Sequence, residues 1–278
     1  MTTHELLRLH PWRPLLTGAT GLRVAFDPTP ADLPEHLSGP LRAAARGTDH
    51  DGVGVRTLQE VGALVDLRHW RALASVHGDA GARAYLSRAA RGLDAFDRIE
   101  RRGSAAVAVS GDDDLSEPLR ISLRAAGVPV VDRRGDAVLE IHVGRPSPTT
   151  IQRWMGSDTP HLVVVPRPDS VRVGPLVVPG ATACLQCLHL SRCDRDRQWP
   201  ALSEQLRRTT SPQPDPVLMG HASAVAVRGI VQHLETGDSA LHSQYWTCDL
   251  DALQPLPTQV ARHPACGCWW PLVGDHPT

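Results

Sequence analysis

The sequence predicts an α/β protein: a doubly wound sheet with helices on both faces, preceded by a small α+β module. Three observations carry this. Ala105–Ser110 and Val128–Val131 are uninterrupted apolar runs of strand length, and Leu115–Ala126 between them repeats apolar residues at 115, 119, 123 and 126. Strands without polar alternation, joined by a helix, belong to a parallel sheet covered on both faces, whereas a half-exposed antiparallel sheet would alternate. A third observation is that Ala137–Val143 and Leu162–Val165 continue the pattern, with a helical stretch over Thr149–Gly156 between them.

Taken in order, the chain opens with two short extended stretches, Arg13–Thr17 and Leu22–Asp27, around Gly18-Ala19-Thr20-Gly21, which reads as a hairpin. Thr57 with Glu60 three residues on has the spacing of a capping box and predicts a helix over Leu58–Leu67. Gly78 and Gly92 read as helix terminators. Residues 1–100 therefore form a hairpin-plus-helices module and 101–278 the sheet domain. Near the end, Val217–Thr236 has apolar residues at 218, 222, 225, 230, 231 and 234 and stops at Gly237, the pattern of a long helix with a glycine cap.

Composition narrows the chemistry. The 278 residues carry 29 basic and 30 acidic side chains, so no overall field steers the chain toward nucleic acid or an anionic membrane. Aromatics at 4% argue against base stacking as well. Every basic residue other than histidine is arginine, and neither lysine nor asparagine occurs. A Walker phosphate loop and Schiff-base catalysis both require lysine and are excluded. No apolar run approaches the ~18 residues of a membrane span, and the N-terminus lacks the features of a secretory signal. The expected location is the cytoplasm, where clustered cysteines serve metals more often than disulfides.

The six cysteines are Cys184, Cys187, Cys193, Cys248, Cys266 and Cys268. Cys184-x-x-Cys187 and Cys266-x-Cys268 are two chelating pairs, and a tetrahedral zinc takes four thiolates. The spacing thus predicts a structural zinc site that pins the C-terminal tail to the sheet domain. A filled shell leaves no position for water or substrate, so the metal is not catalytic. Cys193 and Cys248 are unpaired in sequence; either could replace a ligand, and the plainer reading of both is a small buried hydrophobe.

The stretch Val173-Gly-Pro-Leu-Val-Val-Pro-Gly-Ala-Thr-Ala-Cys-Leu-Gln-Cys-Leu-His-Leu190, with Asp194-Arg-Asp-Arg-Gln-Trp-Pro200 and His263-Pro-Ala-Cys-Gly-Cys268, resembles a known family. It is that of the actinobacterial ThiF-like cyclodehydratase-domain proteins, also called leader-peptide-binding proteins of thiazole/oxazole-modified peptide (TOMM) biosynthesis. The likeness is densest over 173–200 and 263–268 and loose before residue 105. It implies an adenylating-enzyme-type α/β fold with a four-cysteine zinc site at Cys184, Cys187, Cys266 and Cys268, preceded by a winged-helix-like peptide recognition element. It further implies a non-catalytic adaptor: the leader of a ribosomally made precursor adds as a strand to that element, and a separate YcaO-type cyclodehydratase does the chemistry.

The chain departs from active adenylating enzymes where they hold ATP. Their Gly-x-Gly-x-x-Gly turn after the first strand is here Val109-Ser-Gly-Asp-Asp-Asp-Leu115, in which only Gly111 remains. Three carboxylates repel a triphosphate, and Asp112–Asp114 read instead as the acidic cap of the next helix. No ATP binding is expected, and the chain reads as a pseudoenzyme. The alternative is an ATP-dependent adenylating or sulfur-transfer enzyme of the ThiF superfamily.

In the N-terminal module, Leu22, Val24 and Phe26 mark a strand that could take an added peptide through its backbone; the plainer reading is a packed hairpin. Arg101-Arg102 and Arg133-Arg134 read as solvated faces, and His221 and His233 as surface histidines. Trp269-Trp270 either fill the space beside the zinc knuckle or mark a partner surface. A homodimer is expected by analogy with related folds.

Overall fold

The computed structural model describes residues 7–11, 15–18, 21–24, 31–46, 52–89, 94–209 and 211–268. Phe26, Gly92, Trp269 and Trp270 lie outside them. The chain divides into two compact units, Met1–Gly103 and Ser104–Thr278.

In the first unit, β1 (Leu7–Leu9) pairs antiparallel with β5 (Leu64–Asp66), and β2 (Leu15–Gly18), β3 (Gly21–Val24) and β4 (Ala31–Asp32) form a separate antiparallel sheet in that order. The helices are α1 (Ser38–Arg46), α2 (Val53–Glu60), α3 (Leu67–Ala89) and α4 (Ala95–Ser104). Strand β5 divides two cores, because successive strand side chains point to opposite faces. Leu64 joins Leu22, Val24, Leu41 and Leu58, while Val65 joins Leu73, Tyr85 and Ile99.

Two expectations for this unit are corrected. Thr57 does not cap a helix over Leu58–Leu67. Helix α2 already starts at Val53, after Gly52 at φ 69°, and Thr57 lies inside it with Oγ1 donating to the Val53 carbonyl. Gly62 at φ 67° then turns the chain, and Leu64–Asp66 is drawn into pairing with β1. Arg102 is buried rather than on a solvated face. Gly78, at φ 62° and ψ −160°, breaks α3 where a helix terminator was expected.

The second unit is built on a seven-stranded sheet. Its strands are β6 (Val107–Gly111), β7 (Val130–Val131), β8 (Leu139–Val143), β9 (His161–Pro166), β10 (Ser170–Val177), β11 (Gln244–Asp249) and β12 (Leu256–Gln259), in the spatial order β12-β11-β10-β9-β8-β6-β7. The four strands from β7 to β9 are parallel; β10, β11 and β12 extend the sheet antiparallel. Helices α5 (Asp113–Ala125) and α9 (Pro216–Thr236) pack together on one face. On the other lie α6 (Pro148–Gly156) and α7 (Leu185–Arg195), followed by α8 (Trp199–Arg208). Strand β9 shows why its sequence is uniformly apolar: Leu162 and Val164 meet the α5/α9 core, Val163 and Val165 the Trp154 core of α6. The predicted long helix ends as read, at Gly237 with φ 78°. His233 is not a surface residue; it is half-buried with its ring 5.2 Å from that of His242.

Helix α6 is fastened by a buried acid. Glu140 on β8 is 2% exposed and accepts from both terminal nitrogens of Arg153 at 2.6 and 2.8 Å and from the Trp154 indole at 2.9 Å. Trp154 stacks on His161, whose Nδ1 donates to the Thr159 carbonyl at 2.9 Å. Among the described residues, no helix is long and apolar enough to cross a membrane.

Candidate metal centre

Four sulfurs converge at the edge of the second unit. Strand β10 ends at Val177, and a turn folds over it: Ala181 and Thr182 donate their backbone N–H groups to the Val178 carbonyl, and Thr182 Oγ1 accepts from Val178 N at 2.9 Å. That turn delivers Cys184 to the N-cap of α7 and Cys187 to its first turn, one helical turn apart. The second pair arrives on the tail after β12. Val260 is buried and bonds through its N–H to Ser243, and the segment 263–268 folds back so that Cys266 N donates to the His263 carbonyl.

The sulfur of Cys184 lies 3.8 Å from Cys187 and 3.6 Å from Cys266, and Cys187 lies 3.4 Å from Cys268. All four sulfurs fall within 4.8 Å of one another. A tetrahedron with metal–sulfur bonds of about 2.3 Å has edges of about 3.8 Å, so the spacing suits a four-thiolate metal shell. The cysteines are free thiols, Cys184 and Cys187 buried and the other two half-buried. Cys193 is not of the set, its Sγ lying 3.5 Å from His189 Nε2, and Cys248 is buried in the α5/α9 core.

The electrostatics suit a cation. Burial pushes the Cys266 thiol up to about 11 and Cys184 further. Burial also acts on Cys187, but hydrogen bonds from the His263 and Cys184 backbone and from the Cys268 and Cys266 thiols outweigh it and hold it below its ordinary value. Its place in the first turn of α7, at the positive end of the helix dipole, favours the anion further. Cys187 is therefore the thiol most ready to ionise, and a bound metal charge would displace the protons that burial holds on Cys184 and Cys266.

A ring of contacts that the sequence did not announce holds the two pairs in register. Arg262 donates to the carbonyls of Gly180 and Ala181 at 3.0 and 2.6 Å, Ser243 Oγ accepts from Ala183 N at 3.1 Å, and His263 Nε2 meets Asp194 at 2.8 Å. Their partners lie 60 to 82 residues away, beyond the reach of any local pattern.

The residues nominated for peptide binding are placed differently. Leu22 and Val24 are 3% and 0% exposed and face the core of the first unit. Strand β3, which carries them, is the central strand, paired with β2 on one side and β4 on the other, so its edges are already taken.

At the end of β6 the expected helix cap forms. Gly111 has φ +115°, and a Cβ there would run into the Val143 carbonyl. Asp112 N donates to that carbonyl at 3.2 Å, and the Asp112 carboxylate accepts from Leu115 N at 3.3 Å, capping α5. This is the place in a doubly wound sheet where connections leave in opposite directions, β7 on one side and β8 on the other, and where ligands commonly bind. Here the helix N-terminus is occupied by the chain's own carboxylate.

No family model matches the sequence, and no curated protein does. Among solved structures, Escherichia coli MccB bound to ATP superposes with a TM-score of 0.62 at 13% identity, covering 94% of this chain and 99% of that one. MccB with MccA and AMPCPP gives 0.61 at 12%, covering 95% of this chain and 99% of that one. The heterocyclase TruD gives 0.69 at 16%, covering 95% of this chain and 43% of that one. At such identities the likeness establishes a shared fold and nothing beyond it.

Proposed function

We propose that the chain is a zinc-clamped, non-adenylating ThiF-like scaffold that binds the leader of a precursor peptide and presents it to a separate YcaO-type cyclodehydratase. The observation that carries the reading is the Asp112 cap. In an adenylating enzyme the N-terminus of the helix after the first strand receives phosphate. Here Asp112 fills that role with Asp113 and Asp114 beside it, and no lysine or asparagine occurs to offset them. Tetrathiolate ligation by Cys184, Cys187, Cys266 and Cys268 makes the metal structural, since all four positions are filled.

The first unit is the proposed recognition element. With β3 central, an added strand has to use an outer edge of the three-stranded sheet. Among the described residues, β2 pairs with β3 alone. Main-chain bonds along Leu15–Gly18 would supply affinity, and side-chain pockets the selectivity. The fold neighbours support this pairing of roles: TruD is a heterocyclase, and MccB has been solved with MccA.

One finding favours a second reading. MccB carries ATP on the same fold. ATP–pyrophosphate exchange by the purified chain, assayed with and without synthetic Cys/Ser/Thr-rich precursor peptides, separates the two. Peptide binding without exchange supports the scaffold; magnesium-dependent exchange establishes the enzyme.

A further inference from the structure

A second cluster of polar groups lies on the α6/α7 face beyond the C-terminal end of β9, sharing Leu185 and Leu188 of α7 with the core around the cysteines. Arg172 on β10 is flanked by Val171 and Val173, which turn to the α5/α9 core, so alternation sends Arg172 to the opposite face, beside Val165. The residue is 6% exposed, and its Nε and Nη1 are buried with no hydrogen-bond partner. Its guanidinium carbon lies 5.3 Å from the centre of the Tyr245 ring. Arg172 lines a cavity of about 100 Å³, together with Arg145, Arg192 and Arg207. Arg145 and Arg207 also line a neighbouring cavity of about 270 Å³, where Arg167 joins them.

Five guanidinium groups thus surround two adjoining cavities. Among the described residues, the ion pairs of this set are confined to Glu204 with Arg207. Arg192 lies over the Trp199 ring and hydrogen-bonds Tyr245, and among the described residues Arg145, Arg167 and Arg172 have no carboxylate partner. Arg172 is the buried member of the set, Arg145, Arg167 and Arg192 being half-buried and Arg207 exposed; a buried charge without a counter-charge is costly, and a guanidinium keeps its proton in proteins. Burial, followed by the charges of Arg192, Arg167 and Arg145, pushes Arg172 well below its ordinary range. Arg145 is displaced the same way, by burial and by Arg167, Arg192 and Arg207. Such a set is costly when empty and favourable once an anion enters, and planar guanidinium forks match phosphate and carboxylate oxygens.

We infer that the cavities bounded by Arg145, Arg167, Arg172, Arg192 and Arg207 form a binding site for a small oxyanion of two or more negative charges. The larger cavity borders the acidic turn, since its lining residue Gly144 follows Val143, whose carbonyl accepts from Asp112 N, but the charged groups that line it are arginines. The site is contained within the second unit and does not depend on the scaffold reading, which could fail while this one holds.

Titration calorimetry of the full chain at constant ionic strength tests it, with pyrophosphate and citrate as separate probes. Saturable binding of either probe, weakened at least tenfold in Arg145→Gln, supports the site. Pyrophosphate alone identifies a phosphate group as the ligand; citrate alone identifies carboxylates. Arg172→Met is the second variant: it should melt no lower than the parent without anion and lose the anion-induced rise in Tm. If neither probe binds the parent chain, or if Arg145→Gln binds as tightly as the parent, the proposal is overturned.

Discussion

The sulfur of Cys187 lies 3.4 Å from that of Cys268, across 81 residues of sequence. Two short loops, each cheap to close, are brought into one long closure that a bound metal would maintain. Cys184→Ala or Cys266→Ala should therefore abolish stoichiometric zinc and lower Tm by roughly 10 °C, taking a loss of several kcal/mol at about 2–4 °C each for a chain of this size. Elemental analysis and calorimetry measure both. Cys193→Ala should leave the metal content at one per chain.

His161 should make the protein acid-sensitive. Burial lowers its folded pKa from 6.5 to about 4. Because Nδ1 already donates to Thr159, protonation has to occur at Nε2, which is buried without a partner. The unfolded chain takes up this proton first, so the contribution is complete above pH 6.5 and is lost as the pH falls toward 4. The loss is on the order of 3 kcal/mol. In His161→Phe the fall in denaturant midpoint between pH 6.5 and 4 should be much shallower.

Glu140 acts at lower pH. Burial alone would raise its pKa, but hydrogen bonds from Arg153 and Trp154 and the charges of Arg153 and Arg134 prevail, holding it below 4.5. Its contribution is present above 4.5 and disappears as the pH drops through the folded value. Glu140→Ala leaves the buried Trp154 indole unpaired while the part-exposed Arg153 returns to water, and should cost about 1–3 kcal/mol at pH 7, read from urea melts.

Gly111→Ala should destabilise by about 1–3 kcal/mol, since the position combines φ +115° with a clash against the Val143 carbonyl. Asp112→Ala should cost about 0.5–2 kcal/mol through loss of the cap and should not create pyrophosphate exchange. Thermal melts and the exchange assay check the pair.

What the sequence disclosed follows from where its signals lay. The β6-α5-β7 unit, β8, α6 and β9 were legible because strands buried on both faces are continuously apolar and α5 repeats its apolar residues with helical period. Strand β10 was not, because Arg172 interrupts its apolar run and Gly174-Pro175 its pattern, though all eight residues are buried. In the edge hairpin β11 is half-buried and β12 largely exposed, and neither carries an uninterrupted hydrophobic run. In the first unit, Leu64 and Val65 serve opposite cores from a three-residue strand, too short to show a period. The cysteine pairs were visible because chelation demands short local spacing. Arg262, Ser243 and His263, which hold those pairs, and the five arginines of the anion site are dispersed over separate elements and share no spacing.

Zinc K-edge X-ray absorption on the purified chain tests the central claim most directly. A shell of four sulfur scatterers at about 2.3 Å with no nitrogen or oxygen is the predicted result. A shell containing water or imidazole, or a folded chain that never holds zinc, would contradict the closed thiolate clamp on which the scaffold reading is built.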